Sequence, residues 1–430
     1  VDHDLGPLLL ALAALILGTK LLAELSQRFG QPAVLGELLA GVLLGKSVFG
    51  LVDAADPVLF ALAELGVLIL LFEIGLHTDV RSLRKVGGQA VTVALVGVVV
   101  PFVGGYFVAL SLGFNTIEAL VAGSALTATS IGISARVLRD IGKLDTPEGQ
   151  VVLGAAVLDD LLGLIILSVV SVLVAGEAVT VLGVTRIAGL ALGFVVIAFL
   201  AGSYFVPPIF RVVERLRTTG ALGLIALAFA LVLATIAKAS GSAMIVGALA
   251  AGLVLHDTPQ RRDIEASLAP LGYFFVPIFF AVVGASVDLA ALADARALQV
   301  GVLLTIVGVL GKLVTGWAPR PFDGNRMLIG VAMIPRGEVG LIFAQVALGS
   351  GAIAGGEFGA IMMMVVVTTL ITPPWLNSIV HAPAGGRQDA GIMNGLSDLV
   401  AGVRRTVRRA TRPVLRDSIR DADGDDDKRK

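Results

Sequence analysis

Cysteine is absent from the 430 residues, which excludes disulfides, thiolate metal sites and cysteine nucleophiles but does not identify the compartment. Charge is scarce: Asp, Glu, Lys and Arg make up 15% of the chain, against about 25% in a soluble domain. The formal net charge of -1 comes with no basic face, because the charges lie between apolar segments and in the tail, so no nucleic-acid partner is expected. The opening residues, VDHDLGPLLLALAALILGTK, lack the basic n-region of a signal peptide and read as a first span that is retained. The tail, residues 382–430, is basic (VRRTVRRATRPVLR) and then acidic (DADGDDDKRK), as expected of a disordered or surface-lying cytoplasmic segment. It has no GxGxxG, and about 50 residues are too few for a nucleotide-binding regulatory domain.

What remains is strongly apolar. Hydrophobic residues make up 56% of the chain and the mean hydropathy is +0.93, which describes a polytopic protein of the lipid bilayer. Windows of roughly 20 apolar residues fall at about 5–24, 32–51, 57–76, 88–111, 116–138, 149–174, 186–209, 220–239, 242–256, 268–287, 297–318, 326–348 and 356–378. The expected fold is therefore all-α with about 13 transmembrane helices. Alternate loops carry Arg28, Arg81, Arg84, Lys85, Arg136, Arg139, Lys143, Arg211, Arg215, Arg217, Arg261, Arg262, Arg320 and Arg326; the others carry only Lys46, Arg186, Lys238 and Arg296. That bias, roughly fourteen to four, places the N-terminus outside and the C-terminus in the cytoplasm of a cell-membrane protein.

GELLAGVLLG (Gly36 to Gly45) recurs as GALAAGLVLH (Gly247 to His256), and LLFEIGLHTDV (Leu70 to Val80) as FFAVVGASVDL (Phe279 to Leu289). The pairs Gly36/Gly247, Gly41/Gly252, Gly75/Gly284 and Asp79/Asp288 lie about 210 residues apart. Span two thus matches span nine and span three matches span ten. An odd offset of seven spans inserts the copies upside down relative to each other, the pattern of secondary transporters with a midplane site. The membrane domain, 1–381, then divides into repeat one at about 1–175, a linker helix at about 180–210 and repeat two at about 220–380. Extending the offset pairs Asp159 and Asp160 with Thr368 and Thr369, so the acidic pair belongs to one repeat only.

Charge inside these spans is expensive, about 2.5 to 3.5 kcal/mol per group at a helix centre on insertion scales. In GAAVLDDLLGLIILSVV, Asp159 and Asp160 are about 100° apart around the helix, so one carboxylate can pair with a fixed cation while the other meets a transported one. Lys312, in GVLLTIVGVLGKLVTG, is the candidate fixed cation, with snorkelling to the nearby helix end as the alternative. An Asp159–Lys312 pair could gain or lose a proton near physiological pH. IPRGEVG places Pro335, Gly337 and Gly340 around Arg336 and Glu338, so a helix break is expected there. Arg336 and Glu338 would neutralise each other and the half-helix dipoles. In SALTATSIGIS, Thr127, Thr129, Ser130 and Gly132 lie at the matching depth, where an unwound segment can offer carbonyls to a small cation or serve only as packing glue. Glu37 and Glu73 are further intramembrane carboxylates, read as lining a polar cavity ahead of a proton relay.

The set ALTATSIGISARVL, VLDDLLGL, GVLGKLVTG and PRGEVGLIFA, in this order, resembles the monovalent cation:proton antiporter-2 family, in particular its Asp-Asp sodium/proton antiporters. The likeness covers about residues 1–380. It implies thirteen helices, a dimerisation domain, a mobile core domain with two crossed broken helices, and a homodimer. By motif, Asp160 would be the main ion and proton carrier, Asp159 the partner of Lys312, and Thr127 to Ser130 with Arg336, Gly337 and Glu338 the crossing. Members with an intramembrane lysine are typically electrogenic, and that expectation is carried over.

The expected activity is exchange of sodium or lithium for protons at Asp159 and Asp160, by alternating access, with no cofactor and no enzymatic chemistry. A cation and protons would exclude each other at one carboxylate. A potassium/proton antiporter of the same family is the alternative, and a cation channel a more distant one that would not predict an inverted repeat with a lysine counter-charge. An organic-anion symporter of similar architecture would differ in substrate competition. An intramembrane aspartyl protease is excluded, since adjacent positions on one helix cannot face each other across a water.

Overall fold

The computed structural model describes residues 5–78, 85–174, 180–213, 220–286, 295–336 and 355–381, with short pieces between 340 and 353. The helices are α1 (Leu5–Arg28), α2 (Ala33–Leu44), α3 (Pro57–His77), α4 (Gly87–Ser111), α5 (Thr116–Ala125), α6 (Ile131–Asp140) and α7 (Pro147–Val174), then α8 (Val181–Val213), α9 (Ala221–Ala239), α10 (Met244–His256), α11 (Arg261–Ala285), α12 (Ala295–Val314), α13 (Arg326–Ala332) and α14 (Gly355–His381). Among the described residues nine helices are long and apolar enough to cross a membrane, and the only β pairing is one isolated bridge, Gly45 to Val52.

Local chemistry starts several of these helices. Asp56 caps α3, its side chain accepting from the N–H groups of Val58 and Leu59, with Pro57 at the first helical position where no N–H is needed. Asn115 and Glu118 form a reciprocal capping box on α5, and Asn325 caps α13. The second and ninth apolar windows are longer than the helices they produce. Helices α2 and α10 have 12 and 13 residues, about 18 to 20 Å of rise, short of the roughly 30 Å hydrocarbon core. After α2 the backbone extends at Gly45 and turns at Gly50 with φ 64°, so the apolar residues that continue the window lie in a connection.

Two sets of helices pack separately. In the first, α1 lies on α2, α9 on α10, α2 packs against α11, and α3 packs against both α10 and α11. In the second, α4 packs on α5, α7 and α12, and α13 packs on α12 and α7. Helix α6 of the second set touches α2 and α3 of the first. Helix α8 lies outside, with Leu182, Val196, Ile197 and Tyr204 exposed.

The glycines of the first set show why it is so tightly closed. A Cβ on Gly36 would meet the Leu22 carbonyl, and one on Gly247 the Leu233 carbonyl. Gly41 rests on the Ala281 carbonyl and Gly252 on that of Phe72; Gly75 faces the Leu249 carbonyl and Gly284 that of Leu38. Every contact has a counterpart about 210 residues away with the helices exchanged. Such backbone-to-backbone approach is what small residues permit between helices in lipid, where apolar side chains gain little by association.

Candidate functional site: an ion-paired helix crossing

The fifth apolar window is two helices. Helix α5 stops at Ala125, residues 127–129 leave the helical path, and Ser130 caps α6. The twelfth window breaks in the same way: α13 stops at Ala332, and residues 334–336 are not helical. The two breaks lie against each other and satisfy each other's backbone. Ser130 N–H donates to the Pro335 carbonyl at 2.8 Å, the Ser134 hydroxyl to the Ala332 carbonyl at 2.6 Å, and the Arg336 guanidinium to the carbonyls of Ala128 (3.3 Å) and Gly308 (3.4 Å). The Arg336 carbonyl accepts from the Thr369 hydroxyl of α14 at 2.8 Å. In a bilayer every such group has to find a partner inside the protein, and here the crossing supplies them. Arg336 is fully buried and puts a positive charge beside the Ala128 carbonyl, which the broken helix leaves without a helical donor.

Helix α7 delivers the acidic pair to this crossing. Lys312 Nζ of α12 lies 2.7 Å from Asp159 Oδ2, and both side chains are 0% exposed. The same oxygen accepts from the Thr129 hydroxyl at 2.7 Å, and that hydroxyl is also 3.1 Å from the Met333 carbonyl. A hydroxyl has one proton, so the shorter contact to an ionised Asp159 takes it, and the carbonyl stands ready when the carboxylate does not. Asp159 Oδ1 has no hydrogen-bond partner among the described residues. Asp160 is buried next to it and within electrostatic reach of Lys312. Space for the ammonium comes from Gly97 of α4, where a Cβ would sit 3.2 Å from Lys312 Nζ. With Asp159, Asp160, Lys312 and Arg336 all ionised, the buried charges cancel, which is the condition for keeping four of them in a low-dielectric interior.

A family model described as "Sodium/hydrogen exchanger, transmembrane" matches residues 11–382. The chain belongs to the sodium/hydrogen exchanger family. This exchanger is 40% identical over 415 residues to the high-affinity Na+/H+ antiporter NhaS3 of Synechocystis, covering 87% of this chain and 90% of that one. It is 36% identical over 372 residues to the Na+/H+-K+ antiporter GerN of Bacillus cereus, with 85% and 94% covered. Its fold is similar to that of the sodium proton antiporter MjNhaP1 of Methanocaldococcus jannaschii, with a TM-score of 0.66 at 15% identity, over 88% of this chain and 100% of that one. It is accordingly a multi-pass membrane transport protein that exchanges a cation for protons, and not an enzyme.

Within the exchanger, Asp159, Lys312 and Thr129 meet directly, whereas Thr127 does not join them. Its hydroxyl donates to the Ser124 carbonyl at 2.7 Å within its own chain segment. Ser130 contributes its backbone N–H to the crossing and its hydroxyl to the cap of α6. The snorkelling alternative for Lys312 is excluded by its burial and its partner. Gly337 and Glu338 lie outside the described residues, as do Asp79 and Asp288 of the matched segments. Ser134, Thr369, Gly97 and Gly308 belong to the site but are not singled out for it by the sequence. Their signal there is only a small or hydroxyl-bearing residue within an apolar window, Thr369 being marked besides as the neutral counterpart of Asp160.

Proposed function

We propose that this exchanger moves sodium or lithium against protons by alternating access around one site at Asp159 and Asp160. The observation that carries the reading is the fully buried Asp159–Lys312 pair at 2.7 Å beside Asp160, at the crossing of two broken helices. A pair this deep is weak evidence for stability, because well-packed apolar residues do as well or better, so its retention points to use. Asp160 is the principal carrier. Asp159 is shared between Lys312 and the transported cation, with Thr129 and carbonyls of the crossing completing the coordination. Protons and cation occupy the same carboxylates and therefore displace each other. Because Lys312 can hold a proton of its own in the cycle, more protons than sodium ions move per turn and exchange is electrogenic. The paired glycine contacts of the first helix set support two inverted repeats, and the loop charges support an N-terminus outside and a cytoplasmic C-terminus. The protein is read as a homodimer in the cell membrane.

Potassium/proton exchange is the second reading, favoured by the Na+/H+-K+ activity named for the GerN relative. Purified full chain in liposomes, with an internal pH dye, separates the two. Sodium or lithium gradients are expected to drive proton flux and potassium gradients not to. Asp160→Asn is expected to abolish that flux, and full exchange by that variant would overturn the carrier assignment.

A further inference from the structure

A second concentration of charge lies at the other end of α6, away from the crossing. Arg136 and Arg139 stand three residues apart on one face of this helix. Arg139 reaches Glu73 of α3 with Nη1 to Oε2 at 3.0 Å, and Arg136 reaches Glu37 of α2 with Nη2 to Oε1 at 3.7 Å. Arg136 also holds Asp140 on its own helix at 3.1 Å. The fit around Glu73 is made for that residue: a Cβ on Gly272 of α11 would collide with its Oε1. One turn along α3, the His77 ring lies 2.8 Å from the Glu73 carbonyl on one side and 2.8 Å from Glu265 Oε1 of α11 on the other.

Helix α6 has ten residues, a rod of about 15 Å. At one end Thr129 and the cap Ser130 hold Asp159 and the Pro335 carbonyl. At the other, two arginines are paired to helices of the other set. Charge is not needed to pack a helix here, since partly buried pairs add little over apolar contacts. Charge does give a directional contact whose two partners can both hydrate when parted.

We propose that Arg139–Glu73, seconded by Arg136–Glu37, is a clamp that seats the ion-site half-helix on α2 and α3 in this conformation and parts when the site moves relative to them. Glu73, Arg139, Glu37 and Arg136 are thus positioning residues for exchange, and the proposal rests on the alternating-access reading. Arg139–Glu73 is the principal pair, because Arg136 keeps Asp140 when Glu37 is lost.

The absence of native cysteine makes the test direct. Val67 of α3 is buried, and its Cγ2 would be 3.4 Å from a Cβ on Gly132 of α6, so a Val67→Cys thiol reports whether α6 is seated. The rate of maleimide labelling is measured on the full chain in detergent, with thermal melting of each variant as the folding control. Glu73→Gln and Arg139→Gln in the V67C chain are expected to label several-fold faster than V67C alone, and the exchanged pair E73R/R139E to return toward the V67C rate. If E73R/R139E does not fold, E73Q/R139Q decides: a clamp requires the double variant to label no faster than either single one. Singles that label at the V67C rate, or effects that multiply in the double, would overturn the clamp. Sodium-driven proton flux of V67C in liposomes is recorded alongside. Its absence with the labelling pattern intact would count against sodium/proton exchange and leave the clamp standing.

Discussion

Asp159, Lys312 and Thr129 show at the scale of single residues why type alone does not assign a role. Thr127 and Thr129 are two positions apart and both buried, yet one hydroxyl bonds a carbonyl of its own segment and the other bonds Asp159. Thr368 and Thr369 divide in the same way, Thr368 donating to Met364 and Val365 carbonyls of α14 and Thr369 to the Arg336 carbonyl. Charge was legible because an acidic pair in an apolar run has to be compensated. Hydroxyls were not, because a threonine in a helix can always satisfy itself on the preceding turn. The ion pair makes a quantitative expectation. Lys312→Met leaves Asp159 buried with its partner removed and is expected to lower stability by about 3 to 5 kcal/mol. Asp159→Asn in the same chain is expected to recover most of it, read from melting of the singles and the double in detergent. Additive effects of the two substitutions would show that the pair is not coupled.

At the scale of elements, the break in the twelfth window is announced by Pro335 and its neighbouring glycines, while the break in the fifth has no proline and rests on what faces it. Ser130 N–H and the Pro335 carbonyl complete each other, so each gap in helical bonding is closed by the other chain segment. Element length was less legible than element type, because the window after α2 continues in apolar composition where the backbone already turns. The paired glycines give the test at this scale. Gly41→Ala and Gly252→Ala would drive a methyl into the backbone carbonyls of Ala281 and Phe72 and are expected to prevent recovery of folded protein. Gly88→Ala, with open space around its Cβ position, is expected to be recovered like the unaltered chain, size-exclusion profiles in detergent being the measurement.

Across the whole molecule, α6 carries the second helix set onto α2 and α3 of the first, and this places the crossing at one end of a short rod and the arginine pairs at the other. A site that binds protons and a cation at the same carboxylates has a defined kinetic signature. Lowering the pH is expected to raise the KM for sodium while the rate at saturating sodium is unchanged, because enough sodium displaces the competing protons. Flux in liposomes at fixed pH on both sides and varied sodium measures this; a pH effect confined to the maximal rate would exclude simple competition.

The sequence by itself determined the apolar windows, the acidic pair with its single lysine counter-charge, the proline-marked break and the spacing of the matched glycines. Each is a composition or period effect that lipid enforces residue by residue. Tertiary structure alone decided which hydroxyls reach Asp159, that Arg336 spans the carbonyls of Ala128 and Gly308, and that Glu37 and Glu73 face arginines of α6. These partners lie tens to hundreds of residues apart along the chain. A polar side chain carries no mark of which distant group will satisfy it until the helices have packed.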